Sequence, residues 1–128
     1  ASRVVASLAK AGIGVVAGQV EDIAATGDTA YIYEHKTADL FVAAAEMGAL
    51  AVNADDATIA KLRSFALNLG LAFQYEDDLL DGDSPYTRAE TERLAAETTD
   101  KAIRSLENLP GDVSVLKNLA SKLLGRKV

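Results

Sequence analysis

The chain has 128 residues, 49% of them hydrophobic, enough to bury one core, so one domain is expected. Its net charge of −6 argues against nucleic acid, whose phosphates call for a basic surface, and otherwise reads as an acidic solvated exterior. It contains no cysteine, which excludes disulfides and thiolate metal sites and suits a reducing cytoplasm, and no apolar run is read as reaching the roughly 18 residues of a membrane span.

Two prolines, long Ala- and Leu-rich stretches and no strand alternation predict an all-α helical bundle, with residues 1–128 as one helical unit. No signal-peptide pattern opens the chain, and the first residues already read as helix, as if Ala1 lay inside a longer protein. The first helix is expected from Ser2 to Ala25, with Gly27 as its stop. Thr29 is expected to cap a second helix running to Val52. Asp55 or Asp56 caps a third, which ends at Asp81 before the breaker Gly82-Asp83-Ser84-Pro85. Thr87 and Glu90 form a Thr-x-x-Glu capping box for a fourth helix to Leu109. After Pro110-Gly111, Asp112 caps a short final helix. Its basic residues Lys117, Lys122, Arg126 and Lys127 complement the helix dipole.

One stretch breaks the local rules. Glu76-Asp77-Asp78-Leu79-Leu80-Asp81 crowds four carboxylates onto a helix C-terminus, where the dipole disfavours negative charge. Two such charges about 4 Å apart repel by roughly 4 kcal/mol at an effective dielectric near 20. A bound divalent cation is the natural compensation.

Helical spacing gathers further polar residues beside these acids. Leu8, Gly12, Val15, Gln19 and Asp22 share a face of the first helix, polar only at its C-terminal end. Thr37, Leu40, Ala44, Met47 and Ala51 share one on the second, with Lys36 and Thr37 near its start. Ala66, Gly70, Phe73 and Asp77 share one on the third, flanked by Gln74, Asp78 and Asp81. Short connections run the three helices up, down and up. Gln19, Asp22, Lys36, Thr37, Gln74, Asp77, Asp78 and Asp81 then form one layer above an apolar floor. Acids, a lysine and amides together suit a metal-bound phosphate, and the floor suits a hydrocarbon tail.

Other features read as structural. Gly12-Ile13-Gly14-Val15-Val16-Ala17-Gly18 follows no strand, so its glycines are expected to serve close helix packing and not phosphate binding. His35 is expected at a solvated helix start, Tyr31 and Tyr33 in packing, Asp55-Asp56 in capping, and Glu76 in solvent. Asp81-Gly82-Asp83 lacks the alternation of a calcium loop.

Gly18-Gln19-Val20-Glu21-Asp22, Lys36-Thr37 and Phe73-Gln74-Tyr75-Glu76-Asp77-Asp78-Leu79-Leu80-Asp81 together resemble motifs of the trans-polyprenyl diphosphate synthases, the farnesyl and geranylgeranyl diphosphate synthases among them. The resemblance covers roughly Gly12 to Asp81 and implies the C-terminal half of an isoprenoid synthase (class I terpenoid synthase-like) fold. It implies a magnesium-dependent prenyltransferase that condenses an allylic diphosphate with isopentenyl diphosphate. By position, Asp77, Asp78 and Asp81 would be the metal residues. Lys36 would hold the allylic diphosphate, Thr37 and Gln74 would lie near the developing cation, and Gln19, Asp22 and Phe73 would line the pocket. A homodimer is implied as well.

Two departures stand beside the resemblance. The family's first aspartate-rich motif, with its neighbouring arginines, is not among these 128 residues. An N-terminal half or a partner chain is expected to supply it, and the chain alone is expected to be inactive. The alternative is a non-catalytic or regulatory helical subunit of a heteromeric prenyl synthase. The loop after Asp81 is also short and lacks the lysines usual in the family.

Overall fold

The computed structural model describes residues 1–125. Among these, the elements are α1 (Ser2–Ala24), α2 (Thr29–Ile32), a π-helical turn (Tyr33–Ala38), α3 (Asp39–Ala51), α4 (Asp56–Asp81), α5 (Arg88–Ser105) and α6 (Ser114–Leu124). No strand occurs among them, as the composition predicts. Arg126 and Lys127, assigned above to the basic ending, lie outside the described residues.

Local chemistry sets most of the boundaries. Asp55 caps α4 by accepting from the Thr58 amide at 2.7 Å, and Thr87 caps α5 by accepting from the Glu90 amide at 3.3 Å. Glu90 pairs with Arg93, so its carboxylate is engaged there, where a full capping box would turn it back to the cap. Asp28 caps α2, accepting from the Tyr31 amide at 3.1 Å; Thr29, expected in that role, is the first helical residue. A carboxylate one residue earlier is the stronger acceptor. The helix α5 stops at Ser105, short of the predicted Leu109, and the chain turns through Asn108 at φ 59°. Val113 stands at the N-cap of α6 without a side-chain cap; Asp112, expected in that role, lies one residue earlier and accepts from the Ser114 amide at 2.8 Å.

The second predicted helix is the main surprise. It is continuous in path from Thr29 to Ala51, but its middle is wound with i→i+5 bonds.

Packing runs α1 against α3, α3 against α4, and α4 against α5, with α6 closing on α4. The apolar core sits at the α4–α5–α6 end: Phe65, Leu69, Ala102, Leu106 and Ala120 are buried, with Leu62, Ile103 and Leu116 packed around them. That core leaves the opposite end of α4, with its acids, to the polar layer.

The packed side of α1 is set by small residues. Ala11 and Gly18 are buried, whereas Leu8, Gly12 and Gln19 of the predicted face are exposed. A β-carbon at Gly18 would stand 2.4 Å from the Lys36 backbone nitrogen, so only glycine allows this approach. At Gly14 the nearest atoms belong to the Asp39 carboxylate, a side-chain end that can shift, so Gly18 carries the close-packing reading of the glycine run most firmly. Gly12 faces open space and does not support it. Val5, Leu8, Ile13, Val16, Val20 and Ile23 of α1 remain more than half exposed, and Leu40 nearly so.

The helix α1 is also long and apolar enough, by length and composition, to cross a membrane: its best 18-residue window has mean hydropathy 1.3. This corrects the reading that no run reaches that length, because the isolated charges do not lower the average enough. One side of α1 is nonetheless seated on α3, and its last turn joins the polar layer described next.

Candidate functional site

The π-helical turn organises the site. Winding six residues with i→i+5 bonds widens the turn and shifts the phase of the side chains after it; such turns concentrate at functional positions. The turn is gripped from two sides, by Gly18 of α1 under Lys36 and by Gly70 of α4 under Ala38. A β-carbon at Gly70 would come within 2.8 Å of the Ala38 α-carbon. Between these contacts, consecutive residues face different helices: Lys36 meets α1 and Thr37 meets α4.

On the α1 side the Lys36 ammonium donates to the Asp22 carboxylate. Both side chains are about two-fifths exposed (38% and 41%), so solvent screens the pair and it adds little to stability. Its effect is to hold a cation at the cleft.

On the α4 side a hydrogen-bonded chain runs inward. The Thr37 hydroxyl donates to the Gln74 amide oxygen at 2.9 Å, and the Gln74 amide nitrogen donates to Oδ1 of Asp78 at 3.0 Å. The Tyr33 hydroxyl donates to the other oxygen, Oδ2. Asp78 and Tyr33 are each only 8% exposed. Burial raises the Asp78 carboxyl above the ordinary range; hydrogen bonds from Tyr33 and Gln74 oppose the shift, and the neighbouring Asp77 and Asp83 charges add to it. Burial, reinforced by Asp78, pushes the Tyr33 hydroxyl far up, and burial likewise raises Tyr75. The Tyr33 ring meets Tyr75 edge-on at 5.4 Å.

A cleft of about 490 Å³ opens here, lined by Asp22, Tyr33, Lys36, Gln74, Asp78 and Ser84 among others. The structure thus brings Asp22, Lys36, Gln74 and Asp78 together at this cleft, and Thr37 joins them through its bond to Gln74. Asp77 is half-buried and Asp81 exposed, four residues apart on the last turn of α4, and neither lines this cleft. Phe73 is half-buried with its ring 5.7 Å from Phe41, and Gln19 points from the exposed side of α1. Among the described residues, no group of three or more His, Asp or Glu side chains forms a ready-made metal cage. Two carboxylates one turn apart nonetheless suit magnesium, which takes few protein oxygens and completes its shell with water and phosphate.

Sequence reasoning passed over Tyr33 and Ser84. The signal for Tyr33 was available: a buried tyrosine hydroxyl needs an acceptor, and the acidic helix end offers one. His35, expected in solvent, is partly buried: its Nδ1 lies 2.8 Å from Asp39 and its ring 4.2 Å from that of Tyr31. It lines a separate cleft of about 500 Å³ with Ile13, Gly14, Val42 and Leu67, which none of the expected site residues enter.

The chain is similar to known proteins in sequence and in fold. The polyprenyl synthetase family model matches residues 1–92. The chain is 44% identical over 89 residues to geranylgeranyl pyrophosphate synthase 10, mitochondrial, of Arabidopsis thaliana, covering 62% of this chain and 26% of that protein. It is 43% identical over 90 residues to the heterodimeric geranylgeranyl pyrophosphate synthase large subunit 1, chloroplastic, of the same plant, covering 62% and 24%. The chain thus spans about a quarter of the length of the curated relatives it matches. In structure it is similar to a polyprenyl synthase from Roseobacter denitrificans, with a TM-score of 0.86 at 23% identity, covering 99% of this chain and 64% of that one. That likeness extends through α5 and α6, beyond the family match, and gives the fold as the all-α isoprenoid synthase type. With its motifs gathered on this fold and the family model spanning most of its length, the chain belongs to the polyprenyl synthetase family.

Proposed function

We propose that residues 1–128 form one helical unit, the C-terminal half of a magnesium-dependent prenyltransferase domain that condenses an allylic diphosphate with isopentenyl diphosphate. The observation that carries this reading is the convergence of Lys36, on Asp22, and the Thr37–Gln74–Asp78 chain at the acidic end of α4.

Lys36 meets the diphosphate oxygens of the allylic substrate, and Asp22 keeps its side chain extended toward the cleft. Thr37 and Gln74 turn oxygen dipoles toward the carbon that gains positive charge as diphosphate departs. Phe73 and Gln19 line the wall once the facing segment is in place, since Gln19 stands on the exposed side of α1. Asp77 would hold magnesium directly, with Asp78 and Asp81 holding it directly or through water. Bound magnesium supplies charge neutralisation for the departing diphosphate, an electrostatic contribution of the kind that usually dominates such catalysis. The facing acidic wall and the isopentenyl diphosphate site come from an N-terminal segment or a partner chain, in a homodimer. A chain without cysteine needs no oxidising compartment, which is compatible with the proposed cytoplasmic setting, and two relatives carry organellar names.

Isothermal titration of the complete protein with magnesium and an inert allylic diphosphate analogue tests this. Saturable binding is expected, with loss in Asp77→Ala and Lys36→Ala. No binding by the unaltered protein rejects the function, and unchanged binding in the variants rejects the residue roles.

A second reading is a non-catalytic or regulatory subunit of a heteromeric prenyl synthase. The exposed apolar residues of α1 favour a partner chain, and one relative is named as a subunit of a heterodimer. Diphosphate binding that appears only after mixing with a separate synthase chain would select this reading.

A further inference from the structure

We infer that Tyr33 is a positioning residue: acting through Asp78, it fixes the orientation of the Gln74 amide and of the Thr37 hydroxyl.

The inference follows from donor and acceptor capacity. An ionised carboxylate only accepts hydrogen bonds. Both oxygens of Asp78 are engaged by protein donors, Oδ2 by the Tyr33 hydroxyl and Oδ1 by Gln74 Nε2 at 3.0 Å. Asp78 therefore dictates which way the Gln74 amide faces: nitrogen toward the acid, oxygen away. That oxygen is the acceptor for the Thr37 hydroxyl at 2.9 Å, which commits the hydroxyl proton and turns its lone pairs outward.

Tyr33 and Thr37 lie in the same π-helical turn, so the bonds close a ring: Tyr33 to Asp78, to Gln74, to Thr37 and back through the turn. Closed networks of this kind polarise and stiffen one another. The ring ties the turn that carries Lys36 to the helix that carries the acids. Tyr33 is buried with its ring against Tyr75, so the hydroxyl has little room to seek another acceptor.

The first arm of the test is independent of the diphosphate reading. In NMR spectra of the metal-free chain, Tyr33→Phe is expected to move the Gln74 side-chain amide and Thr37 backbone amide resonances while far-ultraviolet circular dichroism stays helical. Asp78→Asn is expected to move the same resonances, and the double variant to add nothing further. Tyr75→Phe, which keeps the ring stack, is the control. If Tyr33→Phe fails to fold, the isosteric Asp78→Asn alone decides. Unmoved Gln74 and Thr37 resonances in a folded variant overturn the inference.

The second arm rests on the proposed function. Titration with magnesium and inorganic pyrophosphate is expected to show about tenfold weaker binding in Tyr33→Phe, the usual scale for a partner behind a metal ligand. Binding equal to that of the unaltered protein overturns the positioning role. An unaltered protein that binds no pyrophosphate counts against the proposed function, and the amide shifts then decide the role of Tyr33.

Discussion

The backbone nitrogen of Lys36 passes directly over Gly18, so close that a β-carbon on that glycine would stand 2.4 Å away. The cation of the site is thus placed by a backbone contact before its side chain meets Asp22. Gly18→Ala is expected to push α1 off the π-helical turn and to cost about 1–3 kcal/mol, the usual scale for overpacking. Gly12→Ala, on the same helix with nothing within 4 Å, is expected to stabilise by up to about 1 kcal/mol through helix propensity. Urea unfolding of both variants checks the opposite signs.

Lys36→Met separates function from stability. Its ion pair with Asp22 is well exposed, so the loss is expected to change urea stability by less than about 1 kcal/mol. A charge-assisted bond to diphosphate is worth about 1.5–3 kcal/mol, so magnesium-dependent pyrophosphate binding is expected to weaken about 10- to 100-fold. Parallel unfolding and calorimetric titration would show the dissociation.

Acid sensitivity is expected to come partly from the α4 cap. Bonds from Thr58 hold Asp55 below the usual carboxylate range. A lowered folded-state value means the cap's stabilisation is fully present above the ordinary carboxylate pKa. It fades as pH falls through the lowered value. Asp55→Asn keeps an acceptor for Thr58 without a titrating group, so its melting temperature should fall less steeply than that of the unaltered chain below about pH 4. Thermal melts across that range read the difference.

Leu106→Ala tests how far the core and the site are independent. Leu106 is 2% exposed, among Phe65, Leu69, Ala102 and Ala120, and its truncation is expected to cost about 2–5 kcal/mol. Pyrophosphate binding by the protein that remains folded should be unchanged, because these residues pack away from the acidic end of α4. A parallel drop in affinity would show that the two regions are coupled.

Much of this architecture is written in local chemistry. Asp55, Thr87 and Asp112 announce helix starts because a short side-chain acceptor satisfies an unpaired amide wherever the rest of the chain goes. The spacing of Lys36, Thr37, Gln74 and Asp78 survives folding because they sit near helix ends that short connections bring together. The π-helical turn has no such signature: its winding accompanies the grip of Gly18 and Gly70, residues of other helices. The packed side of α1 was misread because apolar periodicity favours Leu8, whereas close approach favours the smaller Ala11 and Gly18. Tyr33 was classed with packing residues for a related reason: its ring does pack, but its hydroxyl has an acceptor 45 positions away in the chain.

That separation bears on the order in which the protein assembles. Helix turns and caps close loops of a few residues, whereas the bonds of Tyr33 to Asp78 and Thr37 to Gln74 close loops of 45 and 37 residues. Loop-closure entropy delays such contacts until the helices that carry them are already formed and docked. The ring is then among the last features to form and among the first to open, while the Phe65–Leu106 core stays closed. Amide hydrogen exchange should accordingly be faster at Thr37 than at Leu69, and a ligand bridging the two helices should slow it most at the π-helical turn.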